Sequence, residues 1–398
     1  MLALIIFLIT YLALALGRLP GLRVDRAGVS IIGATLMIAS KSITLSQAYG
    51  AIDYNTITLL FGMMIVVANL RLSGFFTLVS GWVVEHAHRP VVLLAAIVLV
   101  SGFFSAFFVN DTMCLVLTPL VIEIAARLRR NPVPYLLAVA MAANVGSVAT
   151  VTGNPQNMMI GSFSGIGYRA FTAALAPVGA AGLMVVLVVL MIVYRGEFRG
   201  AQPMAVDRQS VTVDRLLLWK SLLVSAAMIV FFFAGSPVSE VALSAGALLL
   251  ITRRVGPRLV YGEIDWPLLV MFVGLFVVVA ALDRTPLSAR LLASATRLHL
   301  ERASVLTACA AVLSNVVSNV PAVLVFKPIV ARLADPHRAW LVLAMSSTLA
   351  GNLTVLGSVA NLIVIERARP AVRISFWEYA KAGIPVTLIS LAIGVALL

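Results

Sequence analysis

The chain has 398 residues, 61% hydrophobic and only 11% charged, with a mean hydropathy of +1.06. Soluble domains run at about 45–50% apolar and about 25% charged residues, so a soluble globular protein is excluded. The formal charge of +13 does not point to nucleic acid, because basic residues cluster at the ends of apolar runs, as in Arg127/Arg129/Arg130 and Arg367/Arg369/Arg373, the pattern of cytoplasmic membrane loops.

Apolar runs long enough to cross about 30 Å of hydrocarbon recur from end to end. The first, Met1–Leu16, has neither a basic n-region nor a small-residue cleavage site, and reads as a retained span rather than a signal peptide. Gly28–Ser40 and Thr56–Leu70 are the next spans, and Ser80–His88 reads as an interfacial amphipathic helix. Two apolar arms, Val91–Val109 and Met113–Ala126, then meet at Asn110-Asp111-Thr112 as a hairpin. Tyr135–Val151 is a span that breaks at Thr152–Asn157, and Phe171–Tyr194 closes the first half. The polar stretch 195–215 reads as a cytoplasmic linker between a first repeat, 1–194, and a second, 216–398. The second half brings spans at Leu216–Ala234 and Leu268–Leu282, an interfacial helix at Ser288–Leu300, a hairpin tip at Ser318–Pro321 and a break at Leu356–Asn361. Cys114 and Cys309 lie far apart in apolar stretches and read as small buried hydrophobes, with no disulfide or metal spacing.

The halves are related by duplication. Ser105, Asn110, Pro119 and Val121 match Ser314, Asn319, Pro328 and Val330 at an offset of 209. Met141, Thr150, Gly153 and Asn157 match Met345, Thr354, Gly357 and Asn361 at 204, and Ile52-Asp53-Tyr54 matches Ile264-Asp265-Trp266 at 212. If the hairpins are re-entrant, each half crosses five times, and an odd number inverts the second half. The predicted fold is an all-α polytopic membrane protein: an inverted repeat of five transmembrane spans plus one re-entrant hairpin per half, each half with one discontinuous helix. On that topology 19 Lys/Arg fall inside and eight outside, with Lys220 and Lys327 within spans, so both termini are expected on the non-cytoplasmic side. Hairpins that crossed fully would make the halves parallel and blur this split.

Non-helical backbone at membrane depth survives only where it is buried in protein or lines a cavity. The four breaks therefore supply the candidate substrate and ion site: Asn110, Asp111, Thr112, Thr152, Gly153, Asn154, Asn157, Ser318, Asn319, Gly357, Ser358 and Asn361. Unwound carbonyls can hold a cation, and half-helix N-termini an anion; the alternative is that these residues serve helix packing. Asp111 is the one carboxylate expected deep at a break, suited to carry a proton or to join a Na⁺ site. Its counterpart is Val320. Lys327 is a further intramembrane charge, either a fixed cation or a snorkelling side chain. Asn144, Ser147 and Thr150 precede the first break, and Ser346, Ser347, Thr348, Asn352 and Thr354 the second; they either line the cavity or join helices. His86, His88, His299 and His337 show no metal spacing.

At Val109-Asn-Asp-Thr112, Thr152-Gly-Asn-Pro-Gln-Asn-Met158, Ser318-Asn-Val-Pro321 and Gly357-Ser-Val-Ala-Asn361 the chain resembles the ion transporter superfamily, in its citrate transporter-like or anion permease branch. The resemblance spans essentially the whole chain and extends to arsenite permeases and dicarboxylate/sodium symporters. It implies a scaffold formed by the early spans, a moving transport region, an elevator-like motion and a homodimer in the cell membrane. It also implies a first ion site at Asn110, Thr112, Gly153, Asn154 and Asn157, and a second at Asn319, Gly357, Ser358 and Asn361. A Na⁺ would sit at Asn110, Asp111, Gly153 and Asn157. Dicarboxylate symporters carry Ser-Asn-Thr at both tips, from which Asn110-Asp-Thr and Asn319-Val-Pro depart. The expected function is secondary active transport of an inorganic or small organic anion, coupled to H⁺ or Na⁺, with no other cofactor. Arsenite/antimonite efflux or Na⁺/H⁺ exchange is the alternative; a membrane-embedded enzyme or a passive channel is remote.

Overall fold

The computed structural model describes residues 2–16, 23–87, 89–198, 213–285 and 298–398. The interfacial helix expected at Ser288–Leu300 lies almost wholly outside the described residues, as do His88 and most of the linker 195–215. The described residues are helical and contain no strand. The first half comprises α1 (Leu2–Leu16), α2 (Arg26–Ala39), α3 (Leu45–Ala51), α4 (Tyr54–Leu72), α5 (Phe75–His86), α6 (Pro90–Phe107), α7 (Asn110–Arg127), α8 (Pro132–Ser147), α9 (Pro155–Ser164), α10 (Tyr168–Val193) and the single turn α11 (Arg195–Phe198). The second comprises α12 (Arg215–Ala234), α13 (Val238–Leu250), α14 (Pro257–Gly262), α15 (Trp266–Asp283), α16 (Ala303–Val317), α17 (Asn319–Val330), α18 (Pro336–Leu349), α19 (Val359–Ala368) and α20 (Phe376–Leu397). Of these, α4, α6, α10, α12, α15 and α20 are long and apolar enough to cross a bilayer.

Local chemistry sets the boundaries. Asp25 accepts from Gly28 N–H at the start of α2, Thr44 and Gln47 form a capping box on α3, and Asn131 accepts from Val133 N–H at the start of α8. Pro90, Pro132 and Pro155 open α6, α8 and α9, where no N–H is required. The centre of the molecule is built from α8 and α18. Every residue of Val133–Ser147 and of Ala339–Leu349 is buried, the all-round burial of a core helix.

The breaks start earlier than the sequence suggests. Helix α8 stops at Ser147, a 3-10 turn covers Val151–Gly153, and α9 is under way by Pro155. In the second half α18 stops at Leu349, 3-10 turns cover Ala350–Asn352 and Val355–Gly357, and α19 starts at Val359. The reason is local: Asn154 and Ser358 act as N-caps, accepting from Asn157 N–H and Ala360 N–H, so helix resumes directly after them. The interfacial helix expected at Ser80–His88 likewise starts earlier, at Phe75, after Gly74 in a left-handed conformation.

The early helices of the two halves interlock reciprocally: α2 packs along α15, and α4 along α13. A Cβ on Gly62 would meet the Ala242 carbonyl carbon at 2.5 Å, and a Cβ on Gly274 would meet that of Ser30 at 2.7 Å. Gly62 and Gly274, and Ser30 and Ala242, are counterparts at the offset of 212. Helices α4 and α13 run in the same sense. Asn55 accepts from the Ser239 hydroxyl at 3.4 Å, Gly62 abuts Ala242, and Ile65 abuts Gly246. Around this four-helix frame lie both hairpins (α6/α7 and α16/α17), α8 and α18, the half-helices α9 and α19, and the paired counterparts α10 and α20.

Candidate functional site

Both hairpin tips and both resumed half-helices open on one cavity of about 270 Å³. Its wall includes Asn110 and Asp111 from the first tip, Ser318–Pro321 from the second, Pro155 and Gln156 of α9, and Ser358 and Val359 at the start of α19. The frame contributes Asp25, Arg26 and Asp265. Asp25 and Asp265 are exposed, so the mouth lies at their end, whereas Asn110 and Asn319 are buried.

Six helices, α2, α7, α9, α15, α17 and α19, begin at this wall. Each N-terminus carries roughly half a positive charge. Four are capped: α2 by Asp25, α15 by Asp265, α9 by Asn154 and α19 by Ser358. The hairpin helices α7 and α17 have no side-chain cap. Ser318, which precedes α17, adopts φ 79° and ψ 160°, a region that costs a non-glycine residue about 1–3 kcal/mol. The buried Asn110 Oδ1 has no partner.

Behind the wall, each half is clasped by the other. Asn144 of α8 reaches the second half with three of its four bonds: Nδ2 donates to Asn352 Oδ1 at 2.8 Å and Asn361 Oδ1 at 3.0 Å, while Oδ1 accepts from Ser358 Oγ at 3.0 Å and also from Asn110 Nδ2 of the first tip at 3.0 Å. Its counterpart Thr348 of α18 does the same for the first break, accepting from Asn154 Nδ2 at 3.2 Å and Gln156 Nε2 at 3.1 Å. With its amide nitrogen donating to Ser347 O, Ser314 Oγ and Gly357 O, Asn319 accepts Gln156 Nε2 at 3.2 Å.

The structure sorts the sequence candidates into two groups. Asn110, Asp111, Ser318, Asn319 and Ser358 are on the wall; Thr112, Thr152, Gly153, Asn154, Asn157, Gly357 and Asn361 are not. Asn157 Nδ2 donates to Ser147 O (3.1 Å) and Thr150 O (3.0 Å), and Asn361 Nδ2 to Gly351 O (2.7 Å) and Thr354 O (3.0 Å). These are equivalent bonds at the offset of 204, and they satisfy carbonyls that the unwound segments strand. A Cβ on Gly153 would lie 2.1 Å from Ser147 O, so the break closes on itself there. Thr152 bonds Tyr168 Oη at 3.0 Å, and Thr112 is half-buried. Of the four residues grouped around a Na⁺, Asn110 and Asp111 face the cavity while Gly153 and Asn157 belong to the break. Lys327 is also off the wall, its ammonium 3.9 Å from the Phe163 ring centre in a cation–π contact.

Arg26, Asp265 and Gln156 are wall residues that the sequence did not mark as functional. Arg26 looks like one more loop arginine. The available signal was Asp25, an N-cap that places Arg26 in the first turn of a span.

Residues 4–350 match the family described as citrate transporter. Among similar proteins, a 46 kDa membrane protein of Mycobacterium leprae is 32% identical, over 98% of this chain and 96% of its own length. The silicon efflux transporter LSI3 of rice, Oryza sativa subsp. japonica, is 30% identical, over 95% of this chain and 93% of its own. Among solved structures, the YdaH transporter of Alcanivorax borkumensis superposes with a TM-score of 0.59 at 15% identity, covering 100% of this chain and 95% of that one, a likeness of fold. This chain belongs to the citrate transporter family and is a multi-pass membrane transporter, not an enzyme.

Proposed function

We propose that the chain is a secondary active transporter that carries a small anion through this cavity by alternating access, coupled to H⁺ or Na⁺. The observation that carries the reading is the convergence of two uncapped hairpin helices and two half-helices on one cavity. Asp25 and Asp265 cap α2 and α15, whose N-termini offset about half of the two charges and leave roughly −1 between them. That charge and Asp111 stand against Arg26 and the N-termini of α7, α9, α17 and α19, worth roughly +2 together. The balance favours a bound anion. A volume of about 270 Å³ suits a small solute, below the roughly 300–1,000 Å³ of drug-sized pockets.

The parallel run of α4 and α13 supports an inverted repeat. Consecutive spans α2 and α4 cross in opposite senses, so α13, the counterpart of α2, crosses opposite to it. With basic residues inside, the cavity mouth at Asp25 and Asp265 faces the cytoplasm, and the termini lie on the other side. The frame α2/α4/α13/α15 serves as scaffold, and the hairpins and half-helices form the moving part of an elevator. Asn110, Asp111, Ser318, Asn319 and Ser358 bind solute and coupling ion. A hydroxylated metalloid such as silicate or arsenite is the second reading, favoured by the silicon efflux relative.

Counterflow in proteoliposomes tests both. Carboxylates, oxyanions, silicate and arsenite are first screened by thermal shift, since a ligand of the folded state raises apparent stability. Trans-accelerated exchange of a hit, driven by a Na⁺ or pH gradient, is expected. Asp111→Asn is expected to insert normally and to lose the gradient dependence. A pore-like flux without trans-acceleration would exclude the transporter reading, and unchanged ion dependence in Asp111→Asn would remove its coupling role.

A further inference from the structure

Gln156, the second residue of α9, is a buried residue of the cavity wall. The bonds that close the break behind it come from its neighbours Asn154 and Asn157. At the offset of 204 its counterpart is Ala360, so the second break resumes its helix without a glutamine. Gln156 therefore supplies something that a break does not need for its own closure.

Its amide cannot turn. Asn157 Nδ2 is engaged by the main-chain carbonyls of Ser147 and Thr150, which only accept, so Asn157 Oδ1 takes the hydroxyl proton of Thr348 at 3.5 Å. Thr348 Oγ1 then has only lone pairs left for Gln156, and Gln156 Nε2 donates to it at 3.1 Å. The second neighbour imposes the same sense. Asn319 Nδ2 faces the carbonyls of Ser347 and Gly357, and Asn319 Oδ1 accepts from Gln156 Nε2 at 3.2 Å. Both amide hydrogens of Gln156 are thus held inside the protein, in directions dictated by main-chain carbonyls. Oε1 is the polar atom that remains, with no donor to it among the described residues.

A free acceptor takes either a cation or a hydrogen-bond donor, and here the helix decides. Oε1 belongs to the first turn of α9, and the N-termini of α17 and α19 border the same cavity, so the local potential is positive and opposes a cation. Asn110 Oδ1, a second unpartnered acceptor on a wall residue, differs in having the Asp111 carboxylate beside it in the chain. Resting on the anion reading above, we propose that Gln156 is a specificity-determining residue whose fixed carbonyl selects an anion that also bears a hydroxyl group. The charged oxygens of such a solute meet the uncapped N-termini of α7 and α17, and its hydroxyl donates to Gln156 Oε1. An anion of similar shape without a hydroxyl turns a lone pair toward Oε1. That leaves a buried acceptor unpaired and sets two electron-rich oxygens against each other, which is selection by rejection. Hydroxycarboxylates and partly protonated oxyanions share this chemistry.

Equilibrium binding to the full-length protein in detergent tests it, with matched pairs of probes at neutral pH. One pair is malate and succinate; the other is phosphate, which keeps a hydroxyl, and sulfate, which does not. Wild type is expected to bind the hydroxyl-bearing member of at least one pair about tenfold more tightly, the ratio that one unpaired buried acceptor produces. The pair that shows the difference identifies the source of the hydroxyl. Gln156→Met, close in volume and without an acceptor, is expected to bring the two members of that pair together. Gln156→Leu keeps the comparison available if the methionine variant does not fold, and the wild-type comparison needs no variant. The proposal is overturned if wild type binds both pairs without preference, prefers succinate or sulfate, or binds none of the four, or if the folded variant keeps the wild-type preference. Counterflow of a bound probe decides the transport reading separately. A working transporter that ignores the hydroxyl would lose the role of Gln156 alone, and a discriminating protein without counterflow would lose the transport reading alone.

Discussion

Asparagine does two different jobs around the cavity, and the hydrogen-bond partners separate them. Asn110 and Asn319 line the cavity, and Asn110 Oδ1 has no partner there. Asn157 and Asn361 instead spend their amide nitrogens on the carbonyls of Ser147 and Thr150 and of Gly351 and Thr354. Replacing either clamp by alanine strands buried acceptors at about 1–3 kcal/mol each. Asn157→Ala and Asn361→Ala are therefore both expected to lower the melting temperature of the purified protein markedly. Solute affinity per folded molecule is expected to fall less than in Asn110→Ala. If the clamps left stability untouched while abolishing binding, they would be ligands after all. Their sequence spacing showed that both belong to the breaks; which atoms they touch was not readable, because a clamp and a ligand have the same residue type.

At the scale of elements, the frame depends on two backbone approaches that the duplication makes equivalent. Gly62 lies against Ala242 and Gly274 against Ser30, each leaving no room for a Cβ. Gly62→Val and Gly274→Val are each expected to cost about 1–3 kcal/mol or more, read as a drop in thermal unfolding midpoint in detergent. A loss at only one site would contradict the equivalence of the α4/α13 and α2/α15 contacts. The apolar runs place α2, α4 and α15 to within a few residues, whereas α13 received no bounds from the sequence. The break boundaries were displaced because caps, not hydropathy, decide where a helix resumes, and both Asn154 and Ser358 sit inside segments that read as uniformly interrupted.

Across the whole molecule the duplicated halves are not in equivalent states. Asp53 of the frame accepts from Ser162 Oγ of α9 at 3.0 Å, whereas its counterpart Asp265 lines the open cavity. The position matching Ser162 in the second half is Glu366, which pairs with Arg369 instead. On the alternating-access reading, the Asp53–Ser162 contact holds the conformation with its mouth at Asp265. Ser162→Ala is expected to raise the population of the opposite conformation, seen as faster thiol labelling of a cysteine placed at Val238. Slower or unchanged labelling would show that the contact does not bias the equilibrium.

From the amino-acid sequence come the membrane class, most of the spans, the match between the halves and the four breaks, but not α3, α9, α11 or α14. Hydropathy and spacing suffice for the spans and breaks because backbone in hydrocarbon must be helical except where it is buried in protein or lines a cavity. The sequence also marked Asp111 as the unusual acid, and set it against Val320. What faces the breaks depends on how the helices pack. Packing of α2 against α15 brings Arg26 and Asp265, distant in the chain from either tip, to the cavity wall. Lys327 instead lies over Phe163, where α17 packs on α9. Charge at a site is summed over everything that folds around it, and Arg26 and Asp111, 85 positions apart, meet only in the wall of the cavity that both line.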